Sequence, residues 1–283
     1  VRTYDFSFAA NGADFEPFPF SFRFYQHPQL VAQSGDTVRP IGSGLAGGTV
    51  VTIRGTGFFN SGDGIRVRWQ NEATSTTFMS TKATFVSDTE IVVKTTQYPY
   101  GPSFTKLSVS LNDGLDSSAP AADTFAWYSP PTLKEVIPPL GPRLGETLVV
   151  LNGDGFIGLR GVARCKFGDY AVPAQFDDSN GQAPPVFECK SPPWPVPDWV
   201  NVEIAMDGQV FTEAKNVKFQ YYGEFDVYSA VPAGGPKAGG TEVTITGVGL
   251  FMSGIHLQCF FGDGTFECSD DISYPCYRAV RAT

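Results

Sequence analysis

Apolar and polar side chains alternate strictly in several stretches of the chain, and each stretch ends at an Asx-Gly pair or a proline-rich bend. Tyr4, Phe6 and Phe8 lead to Asn11-Gly12, Leu107, Val109 and Leu111 to Asp113-Gly114, and Val200, Val202, Ile204 and Met206 to Asp207-Gly208. An apolar residue at every second position is the period of a half-buried strand. Asn-Gly or Asp-Gly supplies the positive φ that a tight hairpin turn requires. A further alternating set, Phe18, Phe20, Phe22 and Phe24, follows the first of these turns. No stretch sustains the i, i+3, i+4 spacing of an amphipathic helix. The pattern predicts an all-β chain of short strands joined by turns.

The strands also repeat. GGTVVTIRGTGFF from Gly47 returns as LGETLVVLNGDGFI from Leu144 and as GGTEVTITGVGLF from Gly239. The anchoring threonines Thr49, Thr147 and Thr241 are 98 and 94 residues apart, and each copy follows a Pro/Gly-rich approach (RPIGSGLA, PPLGPR, VPAGGPKA). A closing aromatic strand appears as FRFY at Phe22, FAWY at Phe125 and FQYY at Phe219. Units of about 95 residues built this way fit immunoglobulin-like β-sandwiches in tandem. The phase of the motifs divides the chain into residues 1–25, the last strands of an incomplete repeat; 26–128 and 129–222, two whole repeats; and 223–283, the first strands of another incomplete one.

The P-x-x-G-x-x-x-G-G-T approach, the V-T-I-x-G-x-G-F strand and the CKFG…CKSPP pair together resemble the IPT/TIG domain. That immunoglobulin-like fold occurs in plexins, growth-factor-type receptors, Rel-type transcription factors and many surface proteins. The resemblance covers essentially the whole chain and implies IPT/TIG-type sandwiches. On function it implies only a choice among adhesion, spacing and assembly. It also implies a disulfide between Cys165 and Cys189, the positions of the plexin-type pair; Val67 and Val93 stand there in the first whole repeat. By the same alignment Cys259 and Cys276 form a second bond, leaving Cys268 free, alternatively paired or bonded to another chain. Such bonds imply an oxidising, extracellular or cell-surface location.

Composition removes other classes of function. A net charge of −9, with no basic cluster, opposes nucleic-acid binding. No apolar run reaches the roughly 20 residues of a membrane span. N-glycosylation sequons are absent, while Thr74 to Thr77 offers hydroxyls for O-linked sugar or is a plain surface loop. The two histidines, His27 and His256, lie in different repeats, which gives little material for a nucleophilic site. Two G-x-G-x-x-G matches, at Gly42–Gly44–Gly47 and Gly153–Gly155–Gly158, lack the strand-to-helix setting of dinucleotide binding. Zinc at His256, Cys259, Cys268 and Cys276 competes with the repeat alignment that already pairs two of them. The acidic pairs Asp177-Asp178 and Asp270-Asp271, and Asp63, match no calcium loop and read as solvated turns. Trp194 and Trp199 in SPPWPVPDW read as core plugs rather than a sugar-binding platform. The chain is therefore expected to be non-enzymatic, with no catalytic residue, cofactor or metal.

Seven aromatics in the first 25 residues, Tyr4, Phe6, Phe8, Phe18, Phe20, Phe22 and Phe24, take inward-type positions and need a cover. Val243, Ile245, Leu257 and Phe261 belong to the complementary half-sandwich. Joining the end of one chain to the start of another gives a threonine spacing of 91, close to the other two. The expected function is a structural protein that assembles head to tail, into a filament or surface appendage, by completing sandwiches between chains. The alternative is an excerpt of a longer adhesion or receptor ectodomain, whose partner is another cell-surface protein.

Overall fold

The computed structural model describes residues 2–30, 37–72, 77–178, 184–212, 216–249, 258–260 and 279–281, with 77–80, 258, 260 and 279–281 described by backbone alone. The chain divides into two compact units, Val1–Tyr222 and Gly223–Thr283. Among the described residues the only helical element is a 3-10 turn at Gly62–Gly64.

The first unit opens with a two-stranded antiparallel ribbon, β1 (Arg2–Phe8) and β2 (Glu16–Phe24), in which Tyr4 faces Phe22 and Phe8 faces Glu16 across a bulge. The first sandwich follows: β3 (Val38–Arg39), β4 (Gly42–Gly44), β5 (Val50–Arg54), β6 (Arg66–Asn71), β7 (Thr77–Ser87), β8 (Glu90–Lys94), β9 (Ser103–Ser110) and β10 (Phe125–Tyr128). The second repeats it: β11 (Thr132–Ile137), β12 (Leu140–Pro142), β13 (Leu148–Asp154), β14 (Arg164–Phe167), β15 (Tyr170–Asp177), β16 (Val186–Lys190), β17 (Asp198–Ala205) and β18 (Lys218–Tyr222). Their hydrogen-bonded orders are the same, β3-β5-β8-β7-β6-β9-β10-β4 and β11-β13-β16-β15-β14-β17-β18-β12. In each, one strand changes layers. The first part of β7 pairs with β6 and its last part with β8, and β15 divides likewise between β14 and β16.

Alternation decides what lies between the layers. Val51 and Ile53 of β5, Val67 and Trp69 of β6, and Leu107 and Val109 of β9 are all fully buried. Trp69 packs on Phe125 (ring centroids 4.6 Å apart) and edge-on to Trp127, whose indole N–H donates to Thr105 Oγ1 at 3.1 Å. Tyr98 stacks flat on Trp127 at 4.5 Å. The second core has the same plan, with Trp194 stacked on Tyr221 at 5.6 Å. Cys165 on β14 and Cys189 on β16 are joined by a disulfide that ties the two layers, with Cα atoms 6.4 Å apart. Val67 and Val93, both buried, take those places in the first sandwich. Trp69→Ala should destabilise the first sandwich by about 3–5 kcal/mol, the usual cost of removing a large core aromatic. Urea titration followed by tryptophan fluorescence checks this.

Among its described residues the second unit has two strand pairs, β19 (Asp226–Val231) with β20 (Thr244–Val248) and β21 (Gln258–Phe260) with β22 (Ala279–Arg281). A cis X-Pro bond stands at the same motif position in all three repeats, at Arg39-Pro40, Ile137-Pro138 and Val231-Pro232.

Candidate assembly interface

The ribbon separates its two faces cleanly. Tyr4, Phe6, Phe8, Phe18, Phe20, Phe22 and Phe24 share one face, while Thr3, Asp5, Ser7, Pro17, Pro19, Ser21 and Arg23 share the other. The seven rings touch one another edge-on or stacked, for example Phe22 with Phe24 at 4.9 Å, yet each remains 42% to 64% exposed. The matching positions of the whole sandwiches are not exposed: Leu107, Val109 and Leu111 are at most 2%, and Val200, Val202 and Ile204 at most 5%. In those sandwiches the opposite layer covers them. Completing the burial of seven half-exposed rings would contribute on the order of 5–10 kcal/mol, about half of 1.5–3 kcal/mol each. A two-stranded ribbon without such a cover is marginal in water. Its base is held to the first sandwich: Tyr25 packs edge-on to Phe59 at 5.0 Å, Arg23 lies over the same ring, and Gln29 bridges to Thr56.

A second feature lies between the whole sandwiches. The Asp207-Gly208 turn, read from sequence only as a hairpin turn, inserts its carboxylate into the end of the first sandwich and is 2% exposed. Asp207 Oδ1 accepts the backbone N–H groups of Gln209 and Val210, both at 2.9 Å, and Gly208 at φ +76° closes the turn. Asp207 Oδ2 accepts the Thr49 hydroxyl at 2.5 Å, and the Tyr128 hydroxyl also bonds this carboxylate. Thr49 Oγ1 also lies 2.9 Å from Ser43 Oγ as a second acceptor for its proton, and Ser43 Oγ in turn lies 2.8 Å from Thr95 Oγ1. Beside this buried relay, Gln209 pairs like a strand with Val50, accepting its N–H at 2.9 Å and donating to its carbonyl at 2.8 Å. Arg160 reaches back to Asp123 at 2.9 Å. Apolar contacts complete the joint. Ile41 packs on both cores, Ala126 and Tyr128 belong to the second, and a side chain at Gly42 would collide with Leu159. The sequence signal for this clamp was the threonine at the start of each repeat motif, which sits at a sandwich end rather than inside it.

Burial first, and then the charge of Asp207, push the Tyr128 phenol well above its ordinary 10.0. The folded chain thus holds this proton more tightly than the unfolded one. Stability drawn from the joint is intact below about pH 10 and is lost as pH rises above it. The urea midpoint should fall above about pH 10, and less steeply in Tyr128→Phe. Part of the slope should remain, because burial raises Tyr221 as well.

The C-terminal half of the expected interface is described in part. Val243 and Ile245 are half-buried, and Val227, Tyr228, Val231 and Val248 around them are 49% to 65% exposed. Leu257, Phe261, His256, Cys268 and Cys276 lie outside the described residues, so the expected Cys259–Cys276 bond does too; Cys259 is on β21. Of the two tryptophans read as plugs, only Trp194 is one: Trp199 is 53% exposed on β17, because alternation along that strand points Val200 inward and its neighbour out. Asp63 pairs with Lys82 at 2.5 Å, which holds its carboxyl below the usual range. Gly42 and Gly44 lie in β4, with no helix after them. No helix among the described residues is long and apolar enough to cross a membrane.

The IPT/TIG domain model matches three times, at residues 36–126, 131–221 and 226–275. The chain belongs to the IPT/TIG family. The first two matches coincide with the two sandwiches, and the third falls in the second unit. No curated protein matches the sequence significantly. Among solved structures, the chain is similar to the plexin A4 extracellular region, at 17% identity and a TM-score of 0.48 over 73% of this chain. A second structure of that region matches at 18% identity and a TM-score of 0.43 over 69%. The chain spans only 16% and 18% of those plexin chains. A Bacteroides ovatus glucan-utilization protein, SGBP-B, determined with a mixed-linkage heptasaccharide, matches at 9% identity and a TM-score of 0.24, over 68% of this chain and 45% of that one.

Proposed function

We propose that this chain is a non-enzymatic, extracellular structural protein that assembles head to tail. The two clamped IPT/TIG sandwiches set a fixed spacing, and the aromatic ribbon of one copy completes the half-sandwich of residues 223–283 in another. The observation that carries this reading is the exposure of seven ring positions, five of which (Tyr4, Phe6, Phe8, Phe22 and Phe24) fall on strand motifs whose apolar residues are buried in both whole sandwiches. Covering them takes the opposite layer of an immunoglobulin-like sandwich, and β19, β20 and β21 are the IPT/TIG strands that would form it. Strand addition of this kind gives main-chain hydrogen bonds for strength and alternate side chains for specificity. Because the two surfaces differ, the contact propagates into an open filament unless its rotation closes a ring. The Cys165–Cys189 disulfide supports an oxidising, extracellular or cell-surface location.

A second reading places the chain within a longer cell-surface adhesion or receptor ectodomain, where ribbon and half-sandwich are completed by the same polypeptide. The rigid joint at Asp207 favours it, since a fixed angle between repeats serves any extended ectodomain. Deleting residues 1–25 separates the two. Head-to-tail assembly requires truncated chains that stay monomeric at every concentration. Truncated chains that still assembled with the normal repeat distance would overturn it.

A further inference from the structure

We infer that the far end of the second sandwich, around Thr147, Ser191 and Tyr222, is a second clamp, and that it receives the Asn11-Gly12 turn of another copy. The two sandwich ends share one backbone framework. In the first, Leu45 N donates to Tyr128 O (2.9 Å), Gly48 N to Thr95 O (2.8 Å), Thr95 N to Thr49 O (2.8 Å) and Tyr98 N to Leu45 O (2.8 Å). In the second, Arg143 N donates to Tyr222 O (2.9 Å), Glu146 N to Ser191 O (2.8 Å), Ser191 N to Thr147 O (2.8 Å) and Trp194 N to Arg143 O (2.7 Å). The side-chain brace matches too: Thr49 N donates to Thr95 Oγ1 at 3.0 Å and Thr147 N to Ser191 Oγ at 3.2 Å. Yet Thr49 is fully buried beneath the Asp207 turn, while Thr147 is only half-buried beside Leu144 and Leu148, which are 65% and 55% exposed.

A turn of matching geometry stands between β1 and β2. Asn11 Oδ1 accepts the N–H groups of Ala13 at 3.0 Å and Asp14 at 2.9 Å, and Gly12 has φ +74°. This is the geometry of the Asp207 turn, residue for residue. The intervening Asp113-Gly114 turn is built differently: Asp113 itself has φ +63° and is tied to Arg66. Each turn lies between the same two strands of its repeat, the last but one and the closing aromatic strand. A ribbon that completes a sandwich therefore carries Asn11-Gly12 where the second sandwich carries Asp207-Gly208. In the second clamp the Asn11 amide, its oxygen held by the turn and one N–H by Asp14 at 2.6 Å, donates its other N–H to Thr147 Oγ1. Ala13 stands where Gln209 does, so the strand-like pair to Val50 has no counterpart and this joint is weaker than the first.

The inference rests on head-to-tail assembly, and one experiment keeps the two apart. Leu148, exposed on the rim, is replaced by photoreactive benzoyl-phenylalanine, and light and isotopically heavy full-length chains are mixed, assembled and irradiated. The expected result is an assembled sample with light–heavy cross-links from position 148 to residues 9–15. Assembled chains whose cross-links lie elsewhere would overturn the second clamp and leave head-to-tail assembly standing. Chains that do not assemble would overturn both.

Discussion

Asp207→Ala is expected to split the unfolding of residues 26–222 into two transitions. The carboxylate accepts the Thr49 and Tyr128 hydroxyls inside a joint that is closed to water. Removing it strands both donors, at about 1–3 kcal/mol each, and frees the turn that positions Gln209. A loss of about 3–5 kcal/mol from the contact between sandwiches leaves Ile41, Leu159 and the Arg160–Asp123 pair as the main remaining links. Asp207→Asn should cost less, because its oxygen still accepts from Gln209 and Val210 while its N–H meets Thr49 as an acceptor. Scanning calorimetry reads both variants. A single unshifted transition in Asp207→Ala would mean that the carboxylate does not couple the sandwiches.

Once the clamp is removed, reduction of the disulfide should act on one sandwich and spare the other. Cys165 and Cys189 are 24 residues apart, and a crosslink closing a loop of that length contributes about 3–4 kcal/mol by restricting the unfolded chain. The first sandwich is an internal control, since Val67 and Val93 fill the same two places without a bond. In the Asp207→Ala background, where the sandwiches unfold separately, reductant or Cys189→Ala should lower the melting of the second sandwich by several degrees and leave the first unchanged. Equal shifts in both would show that the two cores do not unfold separately even when the bond is absent.

The strands were legible because their information is local. Val51 and Ile53, or Val149 and Leu151, alternate with polar neighbours, and a period of two can satisfy a buried face only as a strand. The repeat then multiplied a weak signal by three. Trp199 shows where position alone fails: it shares a Pro-rich segment with Trp194, but its orientation is set by the register of β17, which puts Val200 opposite Phe219 and inward. The clamp was illegible for another reason. Thr49 and Asp207 are 158 residues apart, and each has an ordinary local role, one opening a strand motif and the other closing a turn. Only the stacking of one sandwich end on the next turn joins them. The ribbon lies between these cases. Its alternation announces a buried face, while its rings stand half-exposed in the structure, so the pattern names the face without naming its cover.

Sedimentation velocity of the intact chain across a wide concentration range tests head-to-tail completion most directly. Unlimited growth of the sedimentation coefficient with concentration, with no plateau at a dimer and none in chains lacking residues 1–25, is the predicted result. A single species of 30.5 kDa at all concentrations would contradict it.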